Sequence, residues 1–198
     1  AAKRNQDGTS PSHCEELHPR DHHKLSPAPE KRIRQYSNGC NVPSSMRENL
    51  GDYSHLKQCC HLHDTCYLSC GVPKVFCEKE FPNCMKEKCR RGKARNLQEC
   101  NAKAGPFVTG TAMFGCSSYI ELQSDGCECL KHDEAHRRVK DYVRQFYREY
   151  NRTHPLLAKV ASMFLDHEDY APPSKRNVKH GMLLYKLYKK YPQSIEVI

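Results

Sequence analysis

The sequence predicts a mainly α fold built on a disulfide-rich core, with a helical extension at the C-terminal end. Three observations carry that prediction. Twelve of the 13 cysteines fall between Cys40 and Cys129, a density of about 13%, above the level that marks disulfide scaffolds. Within that stretch, cysteine and apolar residues recur at steps of three and four, the spacing of a helix face. After Leu130 there is no cysteine, and the apolar residues keep helical spacing. A chain of 198 residues allows one domain with extensions. No run approaches the roughly 20 apolar residues of a membrane-spanning helix. A core stapled by cysteines belongs in an oxidising compartment, so a secreted, extracellular protein is expected rather than a cytosolic enzyme with a large oily core. With neither an initiator Met nor an apolar signal segment, the chain reads as a mature secreted form or as a fragment.

Residues 1–37 read as a disordered polar leader. Pro11, Pro19, Pro27 and Pro29 punctuate it, and too few apolar side chains are present to offset the entropy of ordering. His13, His18, His22 and His23 stand there without the ligand spacing of a metal site. Asn38-Gly39-Cys40-Asn41-Val42-Pro43 is a turn-forming entry to the core, which spans residues 38–130. The first core helix runs from about Leu56 to Cys70. Leu56, Cys60, His63 and Tyr67 line one face, and Cys59, Cys66 and Cys70 mark the neighbouring stripe. Gly71 supplies the left-handed stop, with Pro73 just beyond it.

The second helix runs from about Lys74 to Arg91 and turns Cys77, Phe81 and Cys84 inward. Pro82 lies inside it, where a lost backbone donor costs about 3 kcal/mol unless the helix kinks. Two such helices, joined by a short turn, run antiparallel and can be cross-linked. Residues 131–198 form the basic extension. Val139, Tyr142, Val143, Phe146, Tyr147 and Tyr150 make a helical stripe, and a short apolar run from Leu156 to Phe164 follows Pro155. A last helix holds Met182, Leu183, Leu184, Leu187 and Tyr188 beside Lys179, Lys186, Lys189 and Lys190. Asn151-Arg152-Thr153 is a glycosylation sequon, which would place that turn at the surface.

The chemistry centres on Cys59-Cys60-His61-Leu62-His63-Asp64-Thr65-Cys66-Tyr67. Three readings compete. Zinc takes Cys and His ligands, but a structural zinc site wants paired ligands on loops, and these cysteines lie along a helix. A packing reading makes His63 a helical histidine among disulfides and Asp64 its solvated neighbour. A catalytic reading makes His63 a general base, for which an unperturbed pKa of about 6.5 suits neutral pH. Asp64 would then ligate a hard cation, with carbonyls from the facing turn completing an oxygen shell.

The run Cys-Cys-x-x-His-Asp-x-Cys-Tyr, from Cys59 to Tyr67, resembles the active-site helix of the secreted phospholipases A2. The spacing of Cys40, Cys59-Cys60, Cys66, Cys70-Gly71, Cys77, Cys84 and Cys89, together with the Asn38–Pro43 start, is most similar to the group XII branch. Gly115 to Tyr119 and Cys127-Glu128-Cys129 resemble the end of that domain. The resemblance implies two long antiparallel disulfide-linked helices with a calcium loop, and Ca²⁺-dependent hydrolysis of the sn-2 ester of glycerophospholipids. It makes His63 the base that deprotonates water, oriented by Tyr67 and Glu78. It makes Asp64 a Ca²⁺ ligand, joined by carbonyls around Gly39, Asn41 and Pro43, with the Asn41 amide facing the oxyanion. It also implies the disulfides Cys40–Cys60, Cys59–Cys84 and Cys66–Cys77.

Two departures stand out: Glu78 replaces an Asp, and Asn41 replaces a Gly. With Pro82, they leave room for a rival, a catalytically weak or inactive secreted binding or toxin-like protein on the same scaffold. A third reading is a proprotein cut at Lys31-Arg32 and Lys175-Arg176. Because 13 is odd, one thiol is left over, and Cys14, isolated in the leader, is the candidate. The net charge is +9, and residues 131–198 carry 14 basic against 8 acidic residues. An anionic phospholipid surface is the expected partner, with Lys175–Tyr191 lying on it and the apolar residues of Met182–Leu187 inserted shallowly. The competing reading packs those residues on the core. A protein receptor is a further partner the reading admits. Nucleic acid is not expected, because no binding motif accompanies the charge.

Overall fold

In the computed structural model, residues 23–27, 35–41, 52–91, 96–151 and 173–197 are described. They form β1 (His23–Pro27), β2 (Gln35–Ser37), α1 (Lys57–Leu68), α2 (Lys74–Arg91), α3 (Leu97–Gly126), β3 (Cys127–Lys131), α4 (His132–Tyr150), α5 (Pro173–Lys190) and β4 (Ile195–Val197). Short 3-10 turns, Ser54–Leu56 and Pro192–Ser194, precede α1 and β4. The fold is mainly α and disulfide-rich.

The spacing of cysteines on α1 and α2 explains their pairing. Cys59 joins Cys84 and Cys66 joins Cys77, early residue to late, so the helices run antiparallel. Cys40–Cys60 ties the preceding loop to α1. These are the three expected pairs. Cys70–Cys127 anchors the end of α1 to β3, and Cys89–Cys100 joins α2 to α3. Cys129 is also disulfide-bonded. Among the described residues the free thiol is Cys116 on α3. Cys14, the expected leftover thiol, lies outside the described residues. Around these bonds Leu56, Phe81, Met85, Ala104 and Phe107 make the apolar core.

Nothing in the residue pattern announced α3, a helix of 30 residues. Asn96 caps it by accepting the amides of Gln98 (2.9 Å) and Glu99 (3.3 Å). Its later turns close the end of α1. Gln123, buried, donates to the carbonyls of Tyr67 (2.5 Å) and Ser69 (3.1 Å) and accepts the Gly71 amide at 3.0 Å. Tyr119 donates to the Val72 carbonyl at 2.6 Å. Carbonyls that a helix end leaves open are thus satisfied from another helix.

Two stretches of the expected disordered leader are strands. β1 pairs antiparallel with β3, and β2 pairs parallel with β4. Both partners lie far away in sequence, so local composition carried no trace of them. The C-terminal helices pack together through Val139, Tyr142, Val143, Phe146, Tyr147, Leu184, Leu187, Tyr188 and Tyr191. Tyr185 and Met182 of α5 also join Cys66, Tyr67, Val72, Cys77 and Tyr119 of the core. Leu184, Tyr185, Leu187 and Tyr188 are buried. The expected shallow insertion of Met182–Leu187 into lipid is therefore corrected: these side chains already have protein neighbours. The Asn151 side-chain amide donates to the Tyr191 hydroxyl at 2.7 Å, so the sequon nitrogen is engaged inside this unit. The Leu156–Phe164 run and Lys31-Arg32 lie outside the described residues.

Candidate active site

α1 and α2 bring His63, Tyr67 and Glu78 to one point. His63 and Tyr67 are one helical turn apart on α1, and Glu78 follows Cys77, whose disulfide to Cys66 fixes α2 opposite. His63 Nε2 lies 3.2 Å from Glu78 Oε1. The Tyr67 hydroxyl donates to the same oxygen. The imidazole is only 5% exposed and is clamped between Tyr67 and Phe81, with ring centroids 4.3 and 4.5 Å away.

The extra methylene of glutamate is accommodated by two residues that sequence reasoning missed. Lys74, one turn before Glu78, puts Nζ 3.2 Å from Oε1. Thr111 of α3 stands with its hydroxyl 3.0 Å from Oε2, and 3.1 Å from the Val108 carbonyl. Its one proton goes to the charged acceptor, which makes the stronger bond. Lys74 could have been found from its i,i+4 spacing to Glu78. Thr111 left no sequence signal, because α3 was not foreseen. Burial by itself would raise the Glu78 carboxyl. The hydrogen bonds from His63 and Tyr67 and the charges of His63 and Lys74 outweigh it and hold Glu78 down at about 2. Burial, reinforced by the Glu78 hydrogen bond and charge, pushes the Tyr67 hydroxyl up, so it stays a donor. Pro82 lies inside α2 without ending it. By helix geometry it lacks the N–H that would have reached the Glu78 carbonyl, four residues back.

Asp64 points from α1 to the turn after β2. Its Oδ2 accepts the Ser37 hydroxyl at 2.6 Å and the Gly39 amide at 3.1 Å. The Ser37 oxygen in turn accepts the Gly39 amide at 3.0 Å and lies 2.8 Å from His61 Nδ1. Since the Ser37 proton is used on Asp64, His61 carries its own proton on Nδ1. Gly39 has φ +71°, and a Cβ there would sit 3.1 Å from the His61 ring, so both backbone and space favour glycine. The Gly39 carbonyl accepts the Asn41 amide at 2.9 Å, so the amide expected to face an oxyanion is held within the turn. Pro43 lies outside the described residues. Burial pushes the Asp64 carboxyl up, against the pull of the Ser37 hydroxyl. Among the described residues no Lys or Arg pairs with Asp64. A part-buried carboxylate lacking a Lys or Arg partner, bonded to the turn through Ser37 and Gly39, offers the oxygen chemistry that fits a hard cation. Ser37 was not foreseen either; it lay in the presumed leader.

The family model described as group XII secretory phospholipase A2 precursor matches residues 8–137. The chain belongs to the group XII secretory phospholipase A2 family. It is 34% identical to the group XIIA secretory phospholipase A2 of Mus musculus over 46% of this chain and 50% of the relative. The Homo sapiens group XIIA protein is 33% identical, over 46% and 51%. A group XIIB secretory phospholipase A2-like protein of Mus musculus is 28% identical, over 50% and 52%. The chain thus spans about half the length of the curated relatives it matches. No solved structure was found to match it.

Proposed function

We propose that the chain is a Ca²⁺-dependent phospholipase A2, acting outside the cell on the sn-2 ester of glycerophospholipids presented at a membrane surface. The observation that carries this reading is the buried His63–Glu78–Tyr67 cluster one residue from Asp64. With Nε2–H donated to Glu78, His63 presents Nδ1 as the acceptor that takes a proton from water. The resulting imidazolium is stabilised by the Glu78 carboxylate, which keeps its charge and orients the ring. The same nitrogen then returns the proton to the leaving alkoxide. Tyr67 and Thr111 hold Glu78 so that it need not reorganise during the step. Asp64, with carbonyls of Gly39, Asn41 and Pro43, would hold Ca²⁺, which when bound supplies positive charge to the developing oxyanion.

Lipid-surface contact is supported by exposed apolar residues next to this site. Met113 and Phe114 on α3 and Val75 on α2 are 67%, 75% and 76% exposed. Met113 and Phe114 lie between Thr111 and Gly115, whose inner faces meet Glu78 and Tyr67. No charged residue interrupts α3 from Ala104 to Ile120. The test is hydrolysis of phospholipid vesicles with Ca²⁺ and with chelator, beside His63→Gln. The expected result is a Ca²⁺-dependent rate that falls by about 10²–10⁴-fold in the variant. Equal rates in a folded His63→Gln protein reject the catalytic reading and favour a non-catalytic binding protein.

A further inference from the structure

The turn that carries the candidate cation site is held by the far end of the chain. β2 ends on Ser37, and its described strand partner is β4, with Gln35 opposite Ile195, Tyr36 opposite Glu196 and Ser37 opposite Val197. Ser37 is 2% exposed and satisfies three neighbours at once: it donates to Asp64, accepts the Gly39 amide and binds His61 Nδ1. Its place therefore sets the Asp64 carboxylate and the Gly39 turn together.

β4 is in turn no loose tail on its inner side. The preceding 3-10 turn buries Ser194, whose hydroxyl and amide bond the Tyr191 carbonyl at 2.6 and 2.9 Å. Tyr191 sits in the aromatic cluster, 5.6 Å from Phe146 and 6.0 Å from Tyr147 between ring centroids. A continuous set of contacts thus runs from the C-terminal helices through β4 and β2 to Asp64.

We infer that β4 is a working part of the cation loop: it fixes β2 so that Ser37 sets Asp64 for the ion, and ion binding and C-terminal docking form one coupled equilibrium. The inference rests on the calcium reading above. A three-residue parallel strand on one partner is a weak element by itself, since pairing of so few residues barely offsets their ordering. Occupation of the loop therefore changes how often the strand detaches. Reciprocity makes the coupling testable from both ends, because the factor by which a docked β4 tightens Ca²⁺ binding must equal the factor by which Ca²⁺ suppresses detachment.

The test uses the disulfide-intact full chain, a chain ending at Ser194, and Ser37→Ala, each titrated with Ca²⁺ by calorimetry. Both variants are expected to bind about tenfold more weakly or worse, the size of a lost hydrogen bond to a charged group. Because a truncated chain can misfold, the deciding measurement is made on the full chain. Carboxypeptidase release of residues 195–198 is followed without Ca²⁺ and at saturating Ca²⁺, in the regime where cleavage follows the detached population. Release should slow in Ca²⁺ by the factor that truncation loses in affinity, and should ignore Ca²⁺ in Asp64→Asn. If release is Ca²⁺-independent and both variants bind as tightly as the full chain, the inference is overturned and the calcium reading stands. If the full chain binds no more Ca²⁺ than Asp64→Asn, both fall.

Discussion

Glu78 collects donors from three elements. His63 and Tyr67 come from α1, Lys74 from its own helix and Thr111 from α3. A carboxylate so surrounded remains charged, and a charged partner is what a proton-accepting imidazole needs. Glu78→Gln keeps the shape but not the charge. It should lower kcat by about tenfold or more while Ca²⁺ affinity, read by calorimetry, stays put. Glu78→Asp should retain more activity than Gln, because charge is kept and only reach is lost. Thr111→Val should act through Glu78: a modest drop in kcat, absent when tested in the Glu78→Gln background. The same residue shapes acid stability. Its folded pKa is lowered from 4.5 to about 2. Its contribution is therefore complete above the unfolded value and is lost as pH falls through that window. Denaturation curves between those two pH values should be steeper in pH for wild type than for Glu78→Gln; identical slopes would refute the assignment.

At the scale of elements, two glycines mark where helices meet most closely. A Cβ on Gly115 of α3 would lie 2.5 Å from the Tyr67 hydroxyl, which Glu78 holds in place. Gly115→Ala should cost about 1–3 kcal/mol of stability in denaturant unfolding and push the tyrosine off Glu78. In a Tyr67→Phe background the penalty should shrink, since the atom struck is gone. A Cβ on Gly181 of α5 would meet the Cys70 carbonyl and the Val72 amide and side chain at 2.6–2.7 Å. Backbone cannot step aside, so Gly181→Ala should cost about as much. The two disulfide-linked helices were legible because cysteine spacing, a glycine stop and the His-Asp run all agree locally. α3 was not, since Gly105, Pro106, Gly110 and Gly115 argue against a helix by propensity. What makes it one is non-local: the Cys89–Cys100 bond and Gln123 and Tyr119 bonding to the end of α1. Ser37 and Thr111 were hidden for the same reason, being placed by strand and helix partners far along the chain.

On the scale of the whole molecule, the basic extension and the apolar surface part company. The C-terminal lysines looked like half of an amphipathic lipid-binding helix, but the apolar half is spent on α4 and the core. Lys186, Lys189 and Lys190 remain exposed, and Lys189 reaches Glu80 of α2 at 2.9 Å. What the described side chains of α5 can offer an anionic membrane is charge, worth about 1 kcal/mol per lysine near the surface and fading with salt. Met113, Phe114 and Val75 offer the complementary term, which salt does not screen. The two contributions separate by ionic strength. With Ca²⁺ chelated, so that no lipid is consumed, partition onto anionic vesicles is measured at low and at high salt. Lys186→Gln with Lys190→Gln should weaken binding at low salt and leave it unchanged at high salt. Met113→Ser with Phe114→Ser should weaken it by roughly thirtyfold at both, consistent with about 1 kcal/mol per shallowly buried side chain. If the serine pair binds as wild type does at high salt, α3 is not the face that meets the lipid.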